Sequence, residues 1–198
     1  MIYFVFFILC IIPFANYTSG QKSCTKYWTM AGLCISAMTV FAGFRDFGVG
    51  YDTNMYIDLY FNEAKYAHNI IEIFTSDKFS DFDSGYIFLG WIGNFISDKS
   101  QVLMILTEFY ISILLFVGIW FLQRNIRFSV SLFLFLYLIT FFNTSLNEMR
   151  QHCAIMSSFA AFSLFLDKKY LSTTLLTVVA FCFHSSALVF LEFYLFYY

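Results

Sequence analysis

The sequence predicts an all-α, polytopic integral membrane protein with about six to seven membrane helices, because apolar runs of membrane-spanning length alternate with short polar loops. Composition supports the same class. Of 198 residues, 60% are hydrophobic and 23% are aromatic, whereas only 12% are charged. The mean hydropathy is +0.72. A soluble domain of this length cannot bury so much apolar surface, so we expect a single transmembrane domain over residues 1–198.

The distribution of basic residues predicts the orientation. Three short loops contain a single acid, Asp167, and these bases: Lys22, Lys26, Arg124, Arg127, Lys168 and Lys169. Short loops rich in lysine and arginine face the cytoplasm. The opposite ends of the membrane helices should therefore lie on the extracytoplasmic side.

The predicted membrane helices follow from the apolar runs. The first run has no basic residue before it and no convincing small-residue cleavage site after it, which favours a membrane helix over a cleaved signal peptide. The runs are 2–17, 27–44, 102–122, 128–142, 145–166 and 171–184, and a further aromatic run covers 185–198.

An acidic outer loop is predicted over residues 45–84. Residues 45–83 contain eight acids and three bases. Within the loop, apolar and aromatic residues recur at helical spacing, which predicts an amphipathic helix at the membrane surface. Asp52 or Thr53 is the expected N-cap, and Gly48 and Gly50 allow a sharp turn before it. The apolar stripe consists of Tyr56, Tyr60, Ala64, Ala67, Ile71 and Phe74.

The next apolar segment, residues 85–96, is too short to cross. A helix of a dozen residues is about 18 Å long, whereas the hydrocarbon core is roughly 30 Å thick. If it did cross, all later basic loops would face outward. We therefore expect a re-entrant or interfacial segment that begins and ends on the outer side.

A polar stretch around Arg150 separates two of the predicted membrane helices. Ser145 followed by Glu148 has the spacing of a capping box, which predicts a helix from Ser145. Asn147, Arg150 and Gln151 then share one face near its first turns. A cation there opposes the positive end of the helix dipole, so a bound anion or an acidic partner would explain it. An arginine anchored at the membrane interface is an equally good explanation.

Several polar residues share the predicted outer side with Arg150. Both outer arginines, Arg45 and Arg150, lie at helix ends, where an anionic lipid head group would be. The planar guanidinium binds phosphate oxygens at two points, which favours a phosphate or diphosphate ligand. The set comprises Arg45, Asp46, Asp52, Tyr56, Asp83, Asn147, Arg150, Gln151 and His184.

Four stretches of sequence resemble one family. Residues 45–56, RDFGVGYDTNMY, resemble the first signature of the EpsG family, the Wzy-like polymerases of bacterial exopolysaccharide and capsule. Residues 83–86, DSGY, are similar to its Glu-x-Gly-aromatic element, with aspartate in place of glutamate. Residues 147–154, NEMRQHCA, resemble its Asn-x-x-Arg-Gln-x-x-Ala element, and residues 183–187, FHSSA, its Phe-His-x-Ser-Ala element.

This resemblance implies a polymerase of polyprenyl-diphosphate-linked oligosaccharides at the outer face of the bacterial cytoplasmic membrane, in exopolysaccharide, capsule or O-antigen biosynthesis. Arg45 and Arg150 would stabilise the leaving diphosphate, and Asp52, Asp83 or His184 would accept the proton of the attacking hydroxyl. The predicted catalytic residues are Asp52, Asp83, Arg150 and His184, and the predicted substrate-binding residues are Arg45, Tyr56, Asn147, Arg150 and Gln151.

Structural roles compete with these functional ones. Asp52 is also at a position where it could cap a helix. His184 could donate a hydrogen bond between helices, and Tyr56 could be an aromatic residue at the membrane interface. The sequence Asp81-Phe82-Asp83 matches the Asp-x-Asp pattern of metal-using glycosyltransferases. A tripeptide does not supply an octahedral magnesium site, and we expect no metal and no cofactor.

Other functions remain open on the sequence. A flippase or transporter of lipid-linked oligosaccharide should place charges along a pathway at the membrane midplane. The acids within apolar runs are chiefly Glu108 and Glu192. A non-catalytic subunit that assembles with other polysaccharide-assembly membrane proteins is a further alternative, and no nucleic-acid partner is expected. Family members continue through more membrane helices, which we expect beyond Tyr198 or in another chain.

Overall fold

The computed structural model describes residues 2–15, 17 and 23–196, with the side chains of residues 6–15, 17, 23–50, 53 and 56–192. All regular elements within this part of the chain are helical, which confirms the all-α class. The α-helices are α1 (Ile2–Ile11), α2 (Cys24–Gly43), α3 (Tyr51–Ala64), α4 (Ile70–Thr75), α5 (Ser84–Ile96), α6 (Gln101–Asn125), α7 (Val130–Thr140), α8 (Phe142–Ser145), α9 (Met149–Leu166), α10 (Tyr170–Phe183) and α11 (Val189–Phe196).

One helix of the described part, α6, is long and apolar enough to cross a membrane by length and composition. It has 25 residues, which gives a length of about 37 Å. The apolar helices α7 and α10 have 11 and 14 residues. They reach only about 16 and 21 Å, less than the hydrocarbon core. The number of membrane helices therefore stays a prediction.

The core of the bundle lies around α6, which packs between α2 and α9. The buried Tyr27 hydroxyl of α2 donates to the carbonyl oxygen of Phe116 at 2.6 Å. On the opposite side, the hydroxyls of Tyr110 and Ser157 lie 2.6 Å apart. A side chain at Gly118 would overlap the ring of Phe159, so this glycine permits the close approach of α6 and α9.

Two of the basic loops and the first turn of α2 meet at one end of the described bundle. Arg124, at the end of α6, forms an ion pair with Asp167 at 3.2 Å. The amino group of Lys169 lies 4.4 Å from the centre of the Phe121 ring. The first turn of α2 joins them, because the ring centres of Tyr27 and Trp120 are 4.8 Å apart. The membrane side of this end is still a prediction.

The short helix α5 lies at the other end of the bundle. Its beginning, at Gly85, packs against the backbone of Cys182 near the end of α10. Its last turns, at Gly93, pack against Val102 in the first turn of α6. Both ends of α5 therefore contact helix termini at the end of the bundle remote from Arg124.

Cysteine labelling tests this arrangement in the membrane. In a variant without native cysteines, Asp81→Cys and Lys99→Cys flank α5 at exposed positions. We expect a membrane-impermeant maleimide to label both in intact cells. Arg127→Cys, exposed at the opposite end, should react only after permeabilisation. If Lys99→Cys also required permeabilisation, α5 would cross the membrane.

The prediction of one continuous amphipathic helix in the outer loop is wrong, because the segment forms two helices, α3 and α4. Asn69 ends the break by accepting a hydrogen bond from the Glu72 amide at 2.9 Å. The Glu72 carboxylate in turn accepts from the His68 amide at 2.9 Å. This capping resets the helix, so Ile71 and Phe74 are exposed rather than on the buried stripe.

Two predicted helix caps are also wrong. The helix expected from Ser145 begins at Met149, because the buried Ser145 hydroxyl donates to the Phe142 carbonyl within α8. In the outer loop, Gly50 is the N-cap of α3. Thr53 lies inside that helix and does not cap it, and the side chain of Asp52 lies outside the described residues.

Candidate functional site

Arg150, in the first turn of α9, lies at the centre of a group of aromatic and acidic side chains. Its Nη1 donates to the Tyr60 hydroxyl at 2.7 Å and to the carboxylate of Asp83. The guanidinium carbon lies 4.2 Å from the centre of the Tyr56 ring. An acidic partner is thus present at the helix start, as one of the sequence-based explanations requires. These contacts hold the guanidinium plane between α3 and the start of α5.

Tyr60 connects the two charged groups and was not predicted as a site residue. Its side chain is 2% exposed, and its hydroxyl donates to Asp83 Oδ2 at 3.4 Å. The Tyr60 hydroxyl oxygen also accepts a hydrogen bond from the Asp83 amide at 3.3 Å. Burial raises the pKa of Tyr60, so it stays a neutral hydroxyl. The sequence placed it only in an apolar stripe, although it lies one helical turn from Tyr56.

Replacing Tyr60 with phenylalanine tests this connection. The ring remains, but Arg150 and the Asp83 amide lose a common partner. We expect the free energy of unfolding to fall by about 1.5–3 kcal/mol, the usual value for hydrogen bonds to charged groups. Tyr56→Phe is the matched control, because it retains the ring beneath Arg150. Thermal unfolding in detergent measures both variants, and equal stabilities would contradict the assigned role of Tyr60.

A cleft of about 70 Å³ lies beside the guanidinium. It brings together five of the predicted site residues, which come from three separate parts of the chain. His184 reaches it because α10 ends at Phe183, whose ring packs against Tyr110 at 4.8 Å, and the backbone then becomes extended. The cleft is lined by Tyr56, Tyr86, Asn147, Glu148, Met149, Arg150, Gln151 and His184.

Arg45 lies beside this cleft and joins two backbone segments. Its Nη1 donates to the Ala42 carbonyl at 2.7 Å, and its Nη2 donates to the Leu146 carbonyl at 2.8 Å. Nη2 also lies 3.2 Å from the Met149 sulfur. Burial lowers the pKa of Arg45 and the charge of Glu108 opposes this shift; because the ordinary pKa of arginine is so high, the guanidinium keeps its charge. Arg45 therefore positions the segment that carries Asn147.

Gly50 makes the turn that brings α3 to this segment. Its φ is +105°, a conformation that residues with a Cβ rarely adopt. A Cβ there would lie 2.5 Å from Thr53 Oγ1 and 2.8 Å from Asn147 Oδ1. Thr53 Oγ1 also lies 3.2 Å from the Leu146 carbonyl oxygen, to which it donates. The glycine predicted for a sharp turn is thus in contact with the site.

The predicted carboxylates have different positions. Asp83 is the N-cap residue of α5, yet its side chain makes no capping hydrogen bond among the described residues. It pairs with Arg150 instead. Asp46 is exposed and accepts from the Gly48 amide at 2.7 Å. Asp52 belongs to the first turn of α3, and its side chain is outside the described part of the chain.

His152 is a second residue that the sequence did not single out. It is 2% exposed, with Nδ1 3.1 Å from the Glu148 carbonyl oxygen and Nε2 3.3 Å from Thr144 Oγ1. It thereby links the end of α8 to the start of α9, just behind Arg150. Its position two residues after Arg150 was the signal available in the sequence.

Comparison with known proteins covers this whole site. A family model described as the EpsG family matches residues 28–198. The match includes all four stretches that carry the resemblance, from Arg45 to Ala187. No curated protein and no solved structure matches the chain.

Proposed function

The chain belongs to the EpsG family of polysaccharide-biosynthesis membrane proteins, and from this premise we propose that it transfers glycosyl groups between polyprenyl-diphosphate-linked oligosaccharide repeat units. The observation that carries the proposal is the position of Arg150. Its guanidinium is held by Asp83, Tyr60 and Tyr56 at a cleft that Gln151 and His184 also line. A positioned arginine beside polar groups suits a diphosphate ligand.

In the proposed reaction, a sugar hydroxyl oxygen attacks the anomeric carbon of a lipid-linked oligosaccharide. The bond from that carbon to the diphosphate breaks, and its electron pair leaves with the diphosphate. Arg150 stabilises the negative charge that develops there. Donors held in place before the reaction contribute a few kcal/mol, because they need no reorganisation. Asp83 and Tyr60 supply that preorganisation.

The proton of the attacking hydroxyl goes to a base. Asp83 is engaged with Arg150, so we assign it to holding the guanidinium rather than to proton transfer. His184 lines the cleft and is one candidate for this base. Asp52 remains the carboxylate candidate from the sequence. Asn147 and Gln151 would bind the sugar or diphosphate, and no metal or cofactor enters the proposal.

We place this reaction at the extracytoplasmic face of the bacterial cytoplasmic membrane. The predicted cytoplasmic loops, with Arg124 and Lys169, meet at the end of the bundle remote from the cleft. The acidic loop lies at the cleft end. The products would be exopolysaccharide, capsule or O-antigen, and other membrane proteins of polysaccharide assembly are the proposed partners.

Transport of the lipid-linked oligosaccharide is less well supported. Glu108 lies within α6, but it is 2% exposed and accepts from Ser112 of the same helix at 3.3 Å. Such a carboxylate is enclosed by packing, whereas a transporter would place it along a substrate pathway. The charged groups at the cleft favour chemistry at one face.

Membranes from cells that make the protein provide the test. With endogenous lipid-linked oligosaccharide, we expect a ladder of glycans spaced by one repeat unit, together with release of polyprenyl diphosphate. Membranes from cells that lack the protein are the control. Movement of the substrate across the bilayer without a ladder would support a transporter. The absence of both activities would support a non-catalytic subunit.

A further inference from the structure

An apolar groove runs along α1 and α2 towards Arg45. We propose that this groove binds the polyprenyl chain of the lipid carrier, with the diphosphate at its Arg45 end. The inference rests on the proposed function, and it adds a binding site for the part of the substrate that takes no part in the chemistry.

The groove can hold the part of a lipid chain that lies nearest its head group. Its volume is about 690 Å³, within the range of small-molecule sites. From Ser36 it follows α2 for about 10 Å to the end of the helix at Gly43, and Arg45 lies two residues further on. The lining residues are Phe6, Leu9, Ser36, Ala37, Val40, Phe41, Phe44, Arg45, Asp46, Val49 and Leu146.

Aromatic residues form one wall. The rings of Phe6 and Phe41 stack with centres 4.3 Å apart, and Phe142 lies 4.9 Å from Phe6. Ser36 and Ala37 are small side chains that line the groove along α2. A methyl-branched chain fits such an uneven surface by placing its branches beside the small residues.

The polarity of the groove matches a lipid with an anionic head. The groove is apolar along the helices and ends at the cationic Arg45 guanidinium, which donates to backbone carbonyls and is also within the electrostatic reach of the buried Glu108. The neighbouring acid, Asp46, accepts from the Gly48 amide. Leu146 closes the groove at this end, and Asn147, the next residue, lines the cleft. A chain in the groove would therefore present its diphosphate beside the cleft.

A second apolar groove lacks this feature. It lies along α10 and α11, with a volume of about 480 Å³. Its described lining residues carry no charge: Phe165, Tyr170, Thr173, Thr174, Thr177, Val178, Phe181, Leu188 and Leu191. Apolar surface alone is thus present twice, and the cation distinguishes the groove at Arg45.

Photo-crosslinking tests the site directly. The probe is a polyprenyl diphosphate with a diazirine in its isoprenoid chain, added to the protein in phosphatidylethanolamine and phosphatidylglycerol vesicles. We expect mass spectrometry to find the label on Leu9, Val40 or Phe44. Unlabelled polyprenyl diphosphate should compete, whereas added phosphatidylglycerol should not. Competition by phosphatidylglycerol, or label only elsewhere, would overturn the proposal.

A matched pair of variants sharpens the test. Val40 and Val178 are both 57% exposed, and each lines one of the two grooves. Val40→Trp should lower labelling by at least about tenfold, equivalent to 1.4 kcal/mol, and Val178→Trp should leave it unchanged. Phe44→Ala, at a residue 68% exposed, removes a wall without adding bulk and should also weaken labelling. Equal labelling of all variants would refute the assignment.

The labelling does not depend on polymer formation, so the two proposals can fail separately. Groove labelling without a glycan ladder would contradict the polymerase function alone. A ladder without groove labelling would contradict the binding site alone.

Discussion

Lysine in place of Arg150 is expected to abolish polymer formation while the protein remains in the membrane. Lysine keeps the positive charge, but it cannot contact Asp83, Tyr60 and a diphosphate with one planar group. Loss of a preorganised donor to a developing anion typically costs about 100- to 1,000-fold in rate. The glycan ladder in isolated membranes measures this loss, and quantitative blotting measures the amount of protein.

Arg124→Lys is the control for this substitution. Arg124 also pairs with an aspartate and lies over aromatic rings, at the basic end of the bundle. It should retain polymer formation. If membranes with the Arg150→Lys protein made polysaccharide of normal length, Arg150 would be excluded from the catalytic site.

Gly50→Ala should destabilise the protein and disrupt the cleft together. The backbone at φ +105° is strained for alanine, and the added Cβ would meet the Thr53 hydroxyl and the Asn147 amide oxygen. Strain of this kind costs about 1–3 kcal/mol, and the contacts add to it. We expect a lower unfolding temperature and a loss of polymer formation.

Gly32→Ala separates this effect from a general intolerance of alanine. Gly32 lies within α2, and its added Cβ would meet nothing within 4 Å. In a helix interior the change should stabilise the protein by about 0.5–1 kcal/mol. Equal stability of the two variants would show that the Gly50 turn relaxes without affecting the site.

The sequence indicated the surroundings of Arg150 better than the start of its helix. A cation in a first turn is unfavourable for the helix dipole, so a bound anion or an acidic partner was one explanation and anchoring at the membrane interface the other; Asp83 is such an acidic partner. The capping box at Ser145 failed because a serine hydroxyl also bonds to a carbonyl earlier in the chain. Spacing alone does not distinguish these two bonds.

The outer loop shows a different limit. Helical spacing continued from Tyr56 to Phe74, but the cap formed by Asn69 and Glu72 interrupts it. That cap was readable in the sequence. The packing of Tyr60 was not, because it depends on α5 lying beside α3, and the hydrophobic pattern of one helix carries no information about its neighbour.

The pairing of Arg150 with Asp83 has a consequence for turnover. In the proposed reaction, a diphosphate approaching Arg150 would compete with the Asp83 carboxylate that is bound to the same guanidinium. Under this proposal Asp83 would act as an internal competitor, which would weaken ground-state binding and speed the release of the polyprenyl diphosphate. We expect Asp83→Asn to bind polyprenyl diphosphate more tightly and to release it more slowly, as stopped-flow dissociation would show. Unchanged dissociation would mean that Asp83 only holds the arginine in place.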